Sequence, residues 1–277
     1  MKQTRATGVM DETLPAAVGF PAGPVVKICG LTRAEDALLA ADSGAWALGF
    51  VFAASSRQVT ADQAARIVAE VRRAPPSLEA CPLIVGVFVD ASADEIARTV
   101  VAVGLDAVQL HGRSGPGGGE VRRALEDLTS VTCLGSGKTP GARKVLMIQA
   151  VAVDPDENDP EELGRRIAAA RGEADLMLLD TSSRGRFGGT GTAFHWDLAR
   201  VANDGKPFLI AGGIGPDNAG EAVLRSGTWG VDVSSGVEAS PGVKDAEAVT
   251  KLIEVVNDIR RSRGTGPVDA RLEGSTK

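Results

Sequence analysis

The sequence predicts an α/β protein, a single-domain (β/α)8 TIM barrel, on three observations. Short runs rich in Val, Ile, Leu and Phe recur along the 277 residues, helical segments alternate with them, and the runs number eight. Strands of a parallel sheet are buried on both faces and read as near-continuous apolar runs closed by glycine or polar residues. Eight such βα units close a barrel of about 250 residues as one domain. The same alternation would serve a doubly wound open sheet, but the count favours closure.

In chain order the runs are Val25–Cys29, Trp46–Phe52, Leu83–Val89, Ala107–Leu110, Val145–Val151, Leu176–Leu179, Phe208–Ala211 and Trp229–Val233. No antiparallel hairpin signal interrupts them. Three helices announce their starts by a hydroxyl residue followed three positions later by Glu or Gln, a pairing that satisfies free backbone donors reciprocally: Thr32 with Glu35, Thr60 with Gln63, and Ser92 with Glu95. Asp159-Pro160-Glu161-Glu162 supplies acid and proline to another first turn, and Pro216-Asp217-Asn218 resembles it. Val249, Leu252, Ile253, Val256 and Ile259 recur at helical spacing, so a last helix over 244–261 presents one apolar face to the sheet. The barrel is expected over 25–263. Residues 1–24 and 264–277 carry Gly, Pro, Thr and charge without period and are expected to be mobile tails.

Composition narrows the function. With 36 acidic against 30 basic residues the net charge is -6, which opposes nucleic acid and anionic membrane, and no local basic cluster overrides it. The stretch 14–26 is broken by prolines and glycines, follows Asp11 and Glu12, and falls short of the roughly 18 apolar residues of a spanning helix. Neither export nor membrane insertion is expected. Cys29, Cys81 and Cys133 are far apart and odd in number, which fits a reducing cytoplasm better than disulfides. His111 and His195 are the only histidines, too few for a metal cluster without clear carboxylate partners, so no metal is expected.

Barrel active sites are built at the C-terminal ends of the strands. That rule selects Cys29 after the first strand and Asp180 after the sixth. A free cysteine is also a common buried small hydrophobe, and an aspartate after a strand is also a turn former; the pair on one rim carries more than either. The loops Ala211-Gly212-Gly213-Ile214 and Asp232-Val233-Ser234-Ser235-Gly236 end the seventh and eighth strands, the common phosphate site of this fold. Arg184–Gly191, with four glycines, is a mobile lid, a phosphate contact or a plain connection. Arg57 either forks onto a carboxylate or stays solvated. Gly137-Lys138-Thr139 ends like a nucleotide-binding phosphate loop, but Thr132 stands where that motif needs glycine and a strand follows where it needs a helix.

With these residues placed, the chain resembles the phosphoribosylanthranilate isomerases over about residues 25–260. The resemblance starts at Val26-Lys27-Ile28-Cys29-Gly30-Leu31-Thr32 and continues through Leu48–Phe52 with Arg57, Val108-Gln109-Leu110-His111-Gly112, Asp180 with Gly188-Gly189-Thr190-Gly191, and the Gly212-Gly213 and Ser234-Ser235 loops. It implies an Amadori rearrangement of N-(5-phosphoribosyl)anthranilate in tryptophan biosynthesis, with no cofactor. Carried over residue by residue, Cys29 is the general base and Asp180 the general acid, while Arg57, His111, Gly189, Gly212, Gly213, Ser234 and Ser235 bind a small phosphorylated substrate. The expected assembly is a monomer or homodimer.

Three departures are visible. Ser55-Ser56-Arg57 replaces the usual Ser-Pro-Arg, Arg113-Ser114 follows His111-Gly112 where the family often has an acid, and Leu134–Gly141 falls outside the pattern. The related isomerisation of histidine biosynthesis, whose family places carboxylates at both catalytic positions, and a phosphate-binding barrel without catalysis are the alternatives. Cys29 argues against the first, and Cys29 together with Asp180 against the second.

Overall fold

The structure is a computed structural model that describes residues 20–21, 23–74, 81–112, 115, 117–133, 144–181 and 193–264. Eight parallel strands, β1 (Val25–Ile28), β2 (Ala47–Val51), β3 (Leu83–Val89), β4 (Ala107–His111), β5 (Leu146–Val153), β6 (Leu176–Thr181), β7 (Phe208–Ala211) and β8 (Gly230–Val233), close into a barrel in sequence order. β8 pairs back onto β1, with Lys27 opposite Asp232. The alternation along each strand separates two cores. Val25, Ala47, Val85, Leu146, Leu176 and Leu209 fill the barrel interior. Val26, Ile28, Leu48, Phe50, Met177 and Ile210 pack outward under the helices.

The surrounding helices are α1 (Ala34–Ser43), α2 (Ala61–Arg73), α3 (Ala93–Val103), α4 (Gly118–Cys133), α5 (Pro160–Ala170), α6 (Ala219–Ser226) and α7 (Ala246–Gly264). α2 has the expected reciprocal cap at Thr60 and Gln63, Ser92 accepts from Glu95 N at the start of α3, and Asp159 caps α5 with Pro160 at its first position. In α7 the predicted face holds, with Val249, Leu252, Ile253 and Val256 buried. No described helix is long and apolar enough to cross a membrane.

Four local expectations are corrected. Thr32 does not cap α1, whose cap position is Arg33 without a side-chain bond; the Thr32 hydroxyl instead donates to Gly242 O at 2.6 Å. Pro216 and Asp217 do not supply the first turn of α6, which starts at Ala219 with Glu221 as its acid; Asn218 stands at the cap position with its amide spent on the preceding loop, accepting from Gly215 N and donating to Gly213 O. The sixth helical position is a 3-10 helix, Trp196–Ala202. After β8 the chain forms a short antiparallel hairpin, β9 (Glu238–Ser240) with β10 (Val243–Lys244), that no turn signal announced. In the first two cases a partner outside the helix outcompetes the local cap.

The floor of the barrel is closed by aromatic rings. Trp46 and Trp229, each just before a strand, meet edge-on at 5.0 Å, and Phe20 lies edge-on to Trp229 at the same distance. Trp229 Nε1 donates to Pro21 O at 3.1 Å, so its polar atom is satisfied as its ring is covered. Phe20 and Pro21 fall in the stretch assigned to the N-terminal tail, and both are partly buried.

Candidate active site

The opposite end of the barrel opens into a cleft of about 590 Å³ lined by Cys29, Arg57, His111, Asp180, Gly212, Gly213, Ser234 and Ser235. Eight of the nine predicted site residues therefore meet in one place. Gly189, with the rest of the loop 182–192, lies outside the described residues, as do the Gly137-Lys138-Thr139 tract and Arg113-Ser114. Val51, Val87 and Val89 add an apolar wall at the ends of β2 and β3.

Cys29 follows β1 and is buried. Burial pushes its thiol up, opposed by Lys27. Gly49 on β2 lets the two groups come together, since a Cβ there would stand 2.8 Å from Cys29 Sγ and 3.1 Å from Lys27 Nζ. Asp180 ends β6 across the cleft. Burial first, then the Asp232 carboxylate, push it up to about 7, with Lys27 and the Thr181 backbone N–H opposing. A carboxyl so placed holds its proton to higher pH than a free aspartate and can donate it near neutrality. His111 ends β4, with its Nε2 2.6 Å from Gln109 Nε2. Burial, then Lys27, pull its imidazole down to about 4, so it is neutral at pH 7 and acts as a hydrogen-bonding group rather than a charge.

Of the two readings of Arg57, the fork onto a carboxylate holds, and the carboxylate is that of Glu238. Its Nε donates to Glu238 Oε1 at 2.8 Å and its NH2 to Glu238 Oε2 at 2.7 Å. Lys244 Nζ joins the same carboxylate at 2.9 Å and also donates to Ser234 O at 3.0 Å. The unforeseen hairpin supplies both Glu238 and Lys244, and the bidentate pair fixes the arginine plane at the cleft wall.

The two glycine and serine loops form one platform. Gly212 and Gly213 take positive φ, 92° and 63°, and a Cβ on Gly212 would overlap the Thr181 side chain. Gly236 packs so closely that a Cβ there would overlap Ile214 O, joining the loops after β7 and β8. Ser234 Oγ is buried with no hydrogen-bond partner among the described residues. Among those residues no group of three or more His, Cys, Asp and Glu stands at metal-binding spacing.

Sequence reasoning passed over Lys27, Gln109, Asp232, Glu238 and Lys244 as site residues. A signal existed for Lys27, a charge inside the run Val25-Val26-Lys27-Ile28, on the same face of the strand as Cys29. Glu238 and Lys244 had none, because both lie in a hairpin defined only by its packing.

Comparison with known proteins agrees with this geometry. A family model described as N-(5'phosphoribosyl)anthranilate (PRA) isomerase matches residues 26–130 and 141–255. The N-(5'-phosphoribosyl)anthranilate isomerase of Pelobacter propionicus is 39% identical over 236 residues, 85% of this chain and 96% of its own length. That of Pseudomonas putida is 41% identical over 231 residues, 83% and 96%. Among solved structures, phosphoribosyl anthranilate isomerase from Thermotoga maritima superposes with TM-score 0.66 at 33% identity, over 85% of this chain and 99% of that one. A phosphoribosyl anthranilate isomerase in complex with reduced 1-(o-carboxyphenylamino)-1-deoxyribulose 5-phosphate superposes with TM-score 0.63 at 32% identity, over 85% and 99%.

Proposed function

The chain belongs to the N-(5'-phosphoribosyl)anthranilate isomerase family, and from that premise we propose that Asp180 is the general acid and Cys29 the general base of its rearrangement. The enzyme converts N-(5-phosphoribosyl)anthranilate into 1-(2-carboxyphenylamino)-1-deoxyribulose 5-phosphate, an aldose-ketose isomerisation of tryptophan biosynthesis. The single observation that supports the roles is a carboxyl pushed up to about 7 across one cleft from a buried cysteine.

Protonated Asp180 donates to the furanose ring oxygen, the C1′–O bond breaks, and the anthranilate nitrogen lone pair forms an iminium at C1′. That cation acidifies the C2′ hydrogen, which Cys29 thiolate removes. The resulting enolamine moves its O2′ proton to C1′ and becomes the aminoketose. The protein is left with a proton on sulfur and none on Asp180, and exchange with solvent restores both.

Anchoring at both ends holds the ribose between the two groups. Phosphate rests on the Gly212-Gly213 and Ser234-Ser235 platform, supported by the orphan Ser234 hydroxyl. The anthranilate ring lies on the Val51–Val87–Val89 wall with its carboxylate toward Arg57, whose Nε and NH2 edge is taken by Glu238, so NH1 is the group it meets. His111 supplies a neutral hydrogen bond. The test is turnover of freshly prepared N-(5-phosphoribosyl)anthranilate, followed as loss of anthranilate fluorescence, with Cys29→Ala and Asp180→Asn beside the wild type. Loss of activity in both folded variants is expected; full turnover by either sinks its assigned role.

A further inference from the structure

Two buried charges at the base of the cleft take no part in those steps. Lys27 is 0% exposed and pairs with Asp232, 6% exposed, at 2.8 Å. Such a pair is poor value as a stabiliser, because desolvating two ions offsets most of their attraction and apolar side chains serve as well. The rest of the barrel interior is built in that apolar way, with Val25, Ala47, Leu176 and Leu209 among its side chains. What distinguishes the pair is what each member faces. The Lys27 ammonium and the Cys29 sulfur both close over the bare backbone of Gly49, where a Cβ would stand 3.1 Å from the one and 2.8 Å from the other. Asp232 is the register partner of Ala211, itself the partner of Asp180, so the two carboxylates share the inner face of the barrel two strands apart.

We propose that Lys27 and Asp232 are a positioning pair that divides the protons of the site, the ammonium acting as counter-ion to the Cys29 sulfur and the carboxylate disfavouring a second negative charge on Asp180. This rests on the reading of Cys29 as base and Asp180 as acid. Neither charge would do alone: a lone ammonium would strip the proton from Asp180, and a lone carboxylate would hold the proton on Cys29. Placed as they are, each acts mainly on the nearer partner. Lys27 outweighs Asp232 at Cys29, and Asp232 outweighs Lys27 at Asp180. The other charged groups facing the sulfur are Arg57 and Lys244, and both are engaged by Glu238; His111 is neutral.

The test reads each proton directly. Alkylation of Cys29 by iodoacetamide is followed against pH by peptide mass spectrometry, with exposed Cys81 as internal control. In Lys27→Met the Cys29 midpoint is expected to rise by about one pH unit or more, a tenfold loss of rate below the midpoint, while Cys81 is unchanged. The infrared band of the protonated carboxyl, identified by its absence in Asp180→Asn, is expected to titrate about one unit lower in Asp232→Asn. The double variant Lys27→Met/Asp232→Leu leaves no lone buried charge and stands in if a single variant does not fold; both shifts should persist in it, each reduced because the opposing charge is lost too. Midpoints at their wild-type values in folded variants would overturn the proposal, since a purely structural pair changes stability alone. If Cys29→Ala keeps turnover, the base assignment fails whatever the alkylation shows; if it is inactive and the midpoints stay put, only the pair's role fails.

Discussion

The floor and the rim of this barrel are built from the same eight strands and solve opposite problems. Along the inner face of β1 the chain runs Val25, Lys27, Cys29; along β4, Ala107, Gln109, His111; along β6, Leu176, Leu178, Asp180. Within about four residues each strand passes from apolar packing to ionisable chemistry. At the floor the rings of Phe20, Trp46 and Trp229 seal the interior and the Trp229 indole N–H is bonded to Pro21 O. At the rim, Gln109 Oε1, Asp232 Oδ1 and Ser234 Oγ are buried without hydrogen-bond partners among the described residues. Buried polar atoms are normally paired, so these three, gathered on one cleft, mark a place where the molecule gives up stability to receive a ligand.

The sharpest way to break that division is to change one rim group and find nothing lost. Cys29→Ala and Asp180→Asn should each reduce kcat about 10²- to 10⁴-fold, with circular dichroism unchanged. A floor substitution should do the reverse. Leu176→Ala removes a side chain 1% exposed and is expected to destabilise by about 2–5 kcal/mol in urea unfolding, while the folded protein keeps kcat within a few-fold.

A third outcome would show the rim's cost directly. Asp180 is raised in the folded state to about 7 from the ordinary aspartate value of 3.8. Its contribution to stability is therefore full below the unfolded pKa and lost as pH rises through the folded one. Asp180→Asn should accordingly gain on the wild type across pH 4–7, by about 1–4 kcal/mol at pH 8, and little at pH 4. Thermal melts at the two pH values check it, and an equal difference at both would remove burial of this carboxyl as the cause. The smallest effect is expected at Thr60→Ala, on the rim side but outside the cleft. Loss of that cap should cost about 1 kcal/mol and leave kcat/KM unchanged, which confines function to the barrel's inner face.

Much of this was legible in advance, for reasons particular residues make plain. β3 and β7 begin and end where their apolar runs do, and the other six strands agree within two residues, because a strand buried on both faces carries its identity in its own few side chains. Cys29 and Asp180 were found by strand ends alone. The failures share one cause. Thr32 has the pattern of a cap and serves Gly242 instead, 210 residues away in sequence. For Arg57 the sequence left solvation and a carboxylate fork open, and the choice is made by Glu238, 181 residues on. The helix after β6 tightens to a 3-10 form that its composition does not distinguish from an α-helix.

Strand order, the rim residues and the glycine-rich anion loops follow from short windows of sequence, since hydrophobic period, caps and tight turns are settled among neighbours a few positions apart. Which charge stands beside which reacting group does not. Lys27 meets Asp232 across 205 residues of chain, and it does so only because β8 closes the barrel against β1 and brings the two ions out of water together. Electrostatic pairing of that kind depends on distance and burial in space, quantities that exist only once the barrel has closed.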